Sequence, residues 1–131
     1  MIDKTIADLK RDEGFKPKPY QCTSGVWTIG YGFTSLTVSE SNMILSMRVN
    51  HINCELLEFG WYRGLNNARK SVIIQMAFQL GFDGLLKFKK MIRAIELNNF
   101  NTAAIEMRNS KWFGQTPNRV IRLMNKMQNG R

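Results

Sequence analysis

Three residues in the first quarter of the chain have types and a spacing that suit acid–base chemistry: Glu13, Cys22 and Thr28. On a helix turning about 100° per residue, Ile2, Ile6, Leu9 and Glu13 fall within about 60° of arc. The carboxylate therefore shares the apolar stripe of the first helix. A carboxyl group turned toward a core loses hydration, which favours its neutral, proton-donating form. The competing reading is a core-edge acid held by an arginine or by backbone donors. In VWTIGYGF, strict alternation sets Trp27, Ile29, Tyr31 and Phe33 on one face and Val26, Thr28, Gly30 and Gly32 on the other. Glycine inside a strand marks close approach of a ligand or another backbone. A two-residue hairpin loop at Ser24-Gly25 would bring Cys22 opposite Trp27 and next to Thr28. Acid, thiol and hydroxyl would then converge on an open groove.

The elements that must position this trio can be followed along the chain. A first helix over about Asp3 to Glu13 ends near Gly14, and Pro17 and Pro19 forbid its return. Residues 18 to 34 supply the convincing strands, a sheet too slight to stand alone. Thr37-Val38-Ser39-Glu40 reads as a capping box. It opens a helix whose Leu45, Val49, Ile52 and Leu56 recur at helical spacing, with Gly60 as its stop. After a loop from Trp61 to Asn67, SVIIQMAFQL is apolar on almost every side and ends at Gly81, as a helix central to a bundle would. Phe88, Ile92 and Ile95 mark the next helix, and Thr102 to Asn109 a short one. Thr116-Pro117 gives an N-cap followed by proline at the first helical position. Val120, Ile121, Met124 and Met127 then form an inner stripe. The fold class is α+β: a helix, a small antiparallel sheet lobe at about 15–35, and a helical lobe at about 37–131, with a groove between, all in one domain.

The 19 basic and 10 acidic residues leave a formal charge of +9, a field that attracts polyanions. The basic residues are scattered, and no nucleic-acid motif organises them. No apolar run is long enough to cross a bilayer, and the acid-bearing N-terminus has no signal-peptide core. Cys22 and Cys54 are too few for a disulfide scaffold and read as free thiols, Cys54 as plain core. His51 has no companion at metal-ligand spacing, so no metal site is expected. The eight methionines read as core filler rather than as part of a cofactor site.

Glu13, eight residues, Cys22, five residues, Thr28 resembles the catalytic spacing of the T-even phage lysozymes, glycoside hydrolase family 24. That pattern is Glu, then Asp or Cys, then Thr, followed by T-I-G-x-G. Phe78-Gln79-Leu80-Gly81 is similar to the family's F-Q-M-G segment, and Ser110 to Arg119 (SKWFGQTPNR) to its S-R-W-Y-N-Q-T-P-N-R segment. The resemblance implies a lysozyme-like fold and hydrolysis of the β-1,4 bond between N-acetylmuramic acid and N-acetylglucosamine in bacterial peptidoglycan. It makes Glu13 the general acid, with Cys22 and Thr28 across the sugar, positioning water and answering developing charge. Phe78 and Gln79 match positions lining the sugar cleft, as does Gln115, and Arg119 matches an arginine that pairs with the catalytic acid. Such a pairing favours the charged carboxylate and opposes the desolvation argument.

The chain departs from the family in three respects. Phe33 replaces a histidine, the segment from Phe33 to Thr37 is short, and Thr34, Met91 and Glu106 differ in type from the usual cleft residues. A thiol near its ordinary pKa is also mostly neutral at pH 7, unlike a carboxylate. Cys22 is then either a partial thiolate beside a cation or a modest polar contact. The expected protein is a monomeric endolysin without metal or organic cofactor and without stable membrane insertion. It would accumulate in the host cytoplasm and depend on a holin-type membrane protein to reach the wall. Two rivals share these features: a lytic transglycosylase acting on the same bond, and a basic bactericidal protein that binds anionic surfaces without turnover.

Overall fold

A computed structural model describes all 131 residues, Met1–Arg131, and the fold is α+β. The chain divides into two compact units, Met1–Ile44 and Leu45–Arg131.

The first unit contains helix α1 (Ile2–Glu13), strands β1 (Lys16–Gln21) and β2 (Trp27–Gly30), and the start of helix α2 (Val38–Leu56). Gly14, at φ 67°, closes α1 by donating its N–H to the Lys10 carbonyl. The strands are antiparallel, pairing Tyr20 with Thr28 and Gln21 with Trp27. The register slips between Lys16 and Tyr20, where Pro17 and Pro19 have no N–H to give the ladder. The capping box forms: Glu40 N–H donates to Thr37 Oγ1 at 3.1 Å, and Thr37 N–H to Glu40 Oε1 at 3.3 Å.

Two expectations for this unit are corrected. The α1 stripe is not buried: Ile2, Ile6 and Leu9 are exposed, and so is Glu13. One helix and two strands offer the stripe no opposing layer, and Thr28 is the unit's only buried residue. The strand also does not run through to Phe33. It stops at Gly30, and the chain folds back so that Ile29 and Phe33 exchange both backbone hydrogen bonds at 2.9 Å.

The second unit holds the core. After α2 come α3 (Gly60–Arg63), α4 (Asn67–Leu86), α5 (Lys89–Glu96), α6 (Phe100–Arg108), α7 (Lys111–Gln115) and α8 (Pro117–Asn129). Tyr62, Ile73, Met76, Leu85, Met91 and Met107 are fully enclosed together with Trp112, Val120 and Met127. SVIIQMAFQL supplies the central helix as its pattern implies. The helical path breaks at Gly81 (φ 77°, ψ 165°), a conformation that suits glycine, before a further turn completes α4.

Several details differ from the sequence reading. Gly60 begins α3 rather than ending α2. Of the α2 stripe only Leu56 is buried, and Leu45 is exposed. Cys54 is exposed rather than core, and His51 is solvated and pairs with Glu55 one turn on. On α8, Leu123 is buried and Ile121 is not.

The last helix is tied to the central one by Arg69. Its Nε donates to the Met127 carbonyl at 2.7 Å and an Nη to the Gln128 carbonyl at 3.0 Å. The guanidinium lies 3.5 Å from the centre of the Phe100 ring. The α8 carbonyls have no further helical turn to bond, and the arginine satisfies two of them. Replacing Arg69 by Met keeps the stem and removes these donors. Urea unfolding followed by helical circular dichroism is expected to show a loss of about 2 kcal/mol.

Candidate active site

Glu13 is the last residue of α1, and its carboxyl group is seated against the turn that follows β2. Gly32 has φ 78°, and a β-carbon added there would lie 2.7 Å from Glu13 Cδ and closer still to Oε2. Gly30, at φ 67°, likewise has the Phe33 ring where a β-carbon would stand, at 2.8 Å. The bare face expected of this strand is therefore not an empty groove at these two positions. A side chain of the same unit fills each. The helix end is tied to the turn by Phe15, whose ring centre lies 5.4 Å from that of Tyr31, and by Lys10 over the same Tyr31 ring.

Cys22 and Thr28 come from the hairpin, in a register one residue away from the expected one. Cys22 N–H donates to the Val26 carbonyl at 3.0 Å, and Gly25 N–H donates to the Cys22 carbonyl at 2.8 Å. Gly25 is left-handed at φ 82°, so the loop has three residues, Thr23 to Gly25, not two. Cys22 thus opposes Val26 rather than Trp27. Facing residues of a ladder share a face, so the shift moves Cys22 onto the side occupied by Thr28.

The thiol is half-buried, with Sγ 3.0 Å from Ser24 Oγ. Hydrogen bonding by the Ser24 hydroxyl first, then by backbone of Ser24 and Val26, with a smaller contribution from Thr28, favours the thiolate over the opposing effect of desolvation. The Cys22 pKa falls to about 7. The cause is hydrogen bonding, not the neighbouring cation that the sequence reading considered. Ser24, which the sequence offers only as a turn former, is thus the main polar neighbour of the Cys22 thiol. Thr28 is 6% exposed, and its hydroxyl donates to the Val26 carbonyl at 3.0 Å, which leaves its oxygen lone pairs to accept. Thr28 and Thr34 line one cavity of about 240 Å³ with Pro19, Trp27 and Phe33.

The remaining positions lie in the second unit. Phe78 is exposed on α4. Gln79 is occupied by its own unit: its Oε1 accepts from Trp112 Nε1 at 2.9 Å, and its Nε2 donates to Thr116 Oγ1 at 3.4 Å. Thr116 consequently makes no side-chain cap to α8, although Pro117 opens that helix as expected. Arg119 is half-buried in the first turn of α8. Met91, Glu106 and Gln115 line a single cavity of about 590 Å³, whose floor includes Phe88 and Trp112.

The chain matches the family model described as phage lysozyme over residues 10–128. It is 32% identical, over 99% of its own length and 96% of the other's, to probable T4-type lysozyme 1 of Dictyostelium discoideum. It is 30% identical, with the same coverage, to probable T4-type lysozyme 2 of that organism. It is also 28% identical over 88% of its length to the pre-baseplate central spike protein Gp5 of Enterobacteria phage T4, of which it spans 26%. The first alignment runs to 164 positions against 131 residues here, so that relative carries residues this chain lacks.

Two outcomes are expected from this geometry. Gly32→Ala should cost about 1–2 kcal/mol from left-handed strain. It should also lower activity about a hundredfold by displacing the Glu13 carboxyl. Gly25→Ala, with open space around the added carbon, should show the strain alone. Alkylation of Cys22 by iodoacetamide should accelerate as pH rises through about 7, where the thiolate forms. Ser24→Ala removes the largest lowering contribution and should move that inflection upward, as read by mass spectrometry of the Cys22 peptide.

Proposed function

The chain belongs to the phage lysozyme family and is a glycoside hydrolase of the muramidase type. From that premise we propose that it cleaves the β-1,4 bond between N-acetylmuramic acid and N-acetylglucosamine in peptidoglycan, with Glu13 as general acid. The observation that carries this reading is the seating of the Glu13 carboxyl against Gly32, beside the hairpin that presents Thr28 and Cys22 on one face.

Glycoside cleavage needs a proton for the leaving oxygen and a partner for the oxocarbenium-like centre and incoming water. Glu13 donates the proton. Thr28, its own proton committed to the Val26 carbonyl, accepts from the attacking water and turns an oxygen lone pair toward the sugar. Cys22 contributes a polar contact at acid pH and a negative charge above about pH 7. Arg119, at the family's arginine position, takes the supporting role, and Phe78 offers an aromatic face to a sugar ring. Gln79 acts one step removed, by holding Trp112 in place.

The excess of basic charge draws the protein to the anionic wall. No helix is long and apolar enough to cross a membrane. In the proposed biology the protein is a monomeric endolysin that gathers in the host cytoplasm and reaches the wall through a holin-type membrane protein.

The deciding experiment follows turbidity loss of purified peptidoglycan and identifies the soluble products by mass spectrometry. Wild type should release reducing N-acetylmuramic acid ends, and Glu13→Gln should be slower by roughly 10²–10⁴-fold. Clearing that survives the substitution would overturn the assignment of Glu13. Products ending in 1,6-anhydro sugars would replace hydrolysis by transglycosylation.

A further inference from the structure

Tyr31 carries the one side chain of the turn after β2, since Gly30 and Gly32 stand on either side of it. Its ring is gripped from both sides of Glu13. The Phe15 ring centre lies 5.4 Å away, and Lys10 Nζ stands 5.5 Å from the centre of the Tyr31 ring. Gly32, the next residue, is the one against which the Glu13 carboxyl is seated.

The contact with Lys10 has a consequence for Glu13. Residues three or four apart on a helix are neighbours. At that spacing from Lys10 the only acid is Glu13, and at that spacing from Glu13 within α1 the only cation is Lys10. An ion pair is the ordinary outcome of such an arrangement, and it would favour the charged carboxylate over the proton-donating form. The pair is not made: Glu13 has no ion-pair partner, and Lys10 is turned to the ring.

The other charges of the unit are held elsewhere or stand apart. Arg11 is engaged by Asp8 and Asp12 on α1. Lys16 of β1 lies over the Tyr20 ring, 5.9 Å from its centre. Lys18 of β1 makes no ion pair, and Lys4 lies about 13 Å back along the axis of α1. The turn itself presents Tyr31 as its one titratable group. Arg119 belongs to the second unit, and its charge is common to every variant compared below.

We propose that Tyr31 is a positioning residue for the acid: its ring face holds the Lys10 ammonium away from the Glu13 carboxyl. Glu13 thereby keeps a proton to donate at pH values where a lysine partner would have favoured the carboxylate. The inference rests on the reading of Glu13 as general acid. It needs the ring and not the phenol hydroxyl, so phenylalanine serves as well as tyrosine at this position.

The test combines the pH dependence of kcat/KM on peptidoglycan with carbon-13 NMR titration of the Glu13 side-chain carboxyl. Tyr31→Leu frees Lys10 to pair with Glu13. The alkaline limb of the activity profile and the carboxyl titration should both move down by roughly 0.3–0.5 pH unit, a two- to threefold loss of kcat/KM above the limb. Tyr31→Phe and Lys10→Met should leave both where wild type has them. Tyr31→Leu/Lys10→Met should return both to the wild-type position, a reversal that unfolding of the hairpin cannot produce. A Tyr31→Leu titration that stays in place, or a double variant that stays shifted, would overturn the inference. Wild type supplies a further check, independent of any variant: the Lys10 ε-methylene protons should resonate upfield of those of other lysines, and random-coil shifts there would overturn the inference too. A carboxyl shift that reverses as described, in a protein that does not turn over peptidoglycan, would uphold the effect of Tyr31 on Glu13 and remove the hydrolase reading instead.

Discussion

The absence of a side chain at position 32 is the constraint on which the seating of the Glu13 carboxyl, and with it the proposed site, depends. The Glu13 carboxyl occupies space that any other residue there would claim, at a backbone angle that other residues rarely adopt. The helix end, the Gly14 cap, the Phe15–Tyr31 contact and the fold-back of Ile29 on Phe33 all serve to bring that carboxyl and that glycine together. The glycines of the T-I-G-Y-G run are thus explained by two side chains, Phe33 and Glu13.

The hairpin shows how one residue of loop length decides chemistry. With a two-residue loop Cys22 would face with Trp27, on the wrong side of the sheet. The third loop residue, accommodated by Gly25 in a left-handed conformation, turns the thiol to the side of Thr28 and within reach of Ser24. A small polar loop then does what a nearby cation would do elsewhere, favouring the thiolate through hydrogen bonds.

Much of this was legible beforehand. The capping box at Thr37 and Pro117 at the head of the last helix follow from local rules and are found, and the central helix is found too, although it begins at Asn67 and Gly81 only interrupts it where an end was expected. The trio Glu13, Cys22 and Thr28 was legible as spacing and residue type. What periodicity could not supply was burial. The stripe Ile2, Ile6, Leu9 has helical spacing, but spacing alone does not tell whether a layer covers it, and within a unit this small none does. Loop length escaped as well, because Ser24-Gly25 satisfies two-residue and three-residue turns equally. The larger cavity of the second unit was invisible because Phe88 and Met91 are separated in sequence from Glu106, Trp112 and Gln115 and are joined to them by the packing of α5 against α6 and of α6 against α7.

The distribution of burial between the two units has a consequence for motion. The segment that carries the acid, the thiol and the hydroxyl encloses one residue, Thr28, whereas the helical segment encloses Tyr62, Ile73, Met107 and their neighbours. Opening free energy follows enclosed apolar contact, so amide hydrogens of the hairpin exchange with solvent from a far shallower well than those of α4 or α8. The residues proposed for the chemistry therefore sit in the segment that encloses least, apart from the helices that enclose most.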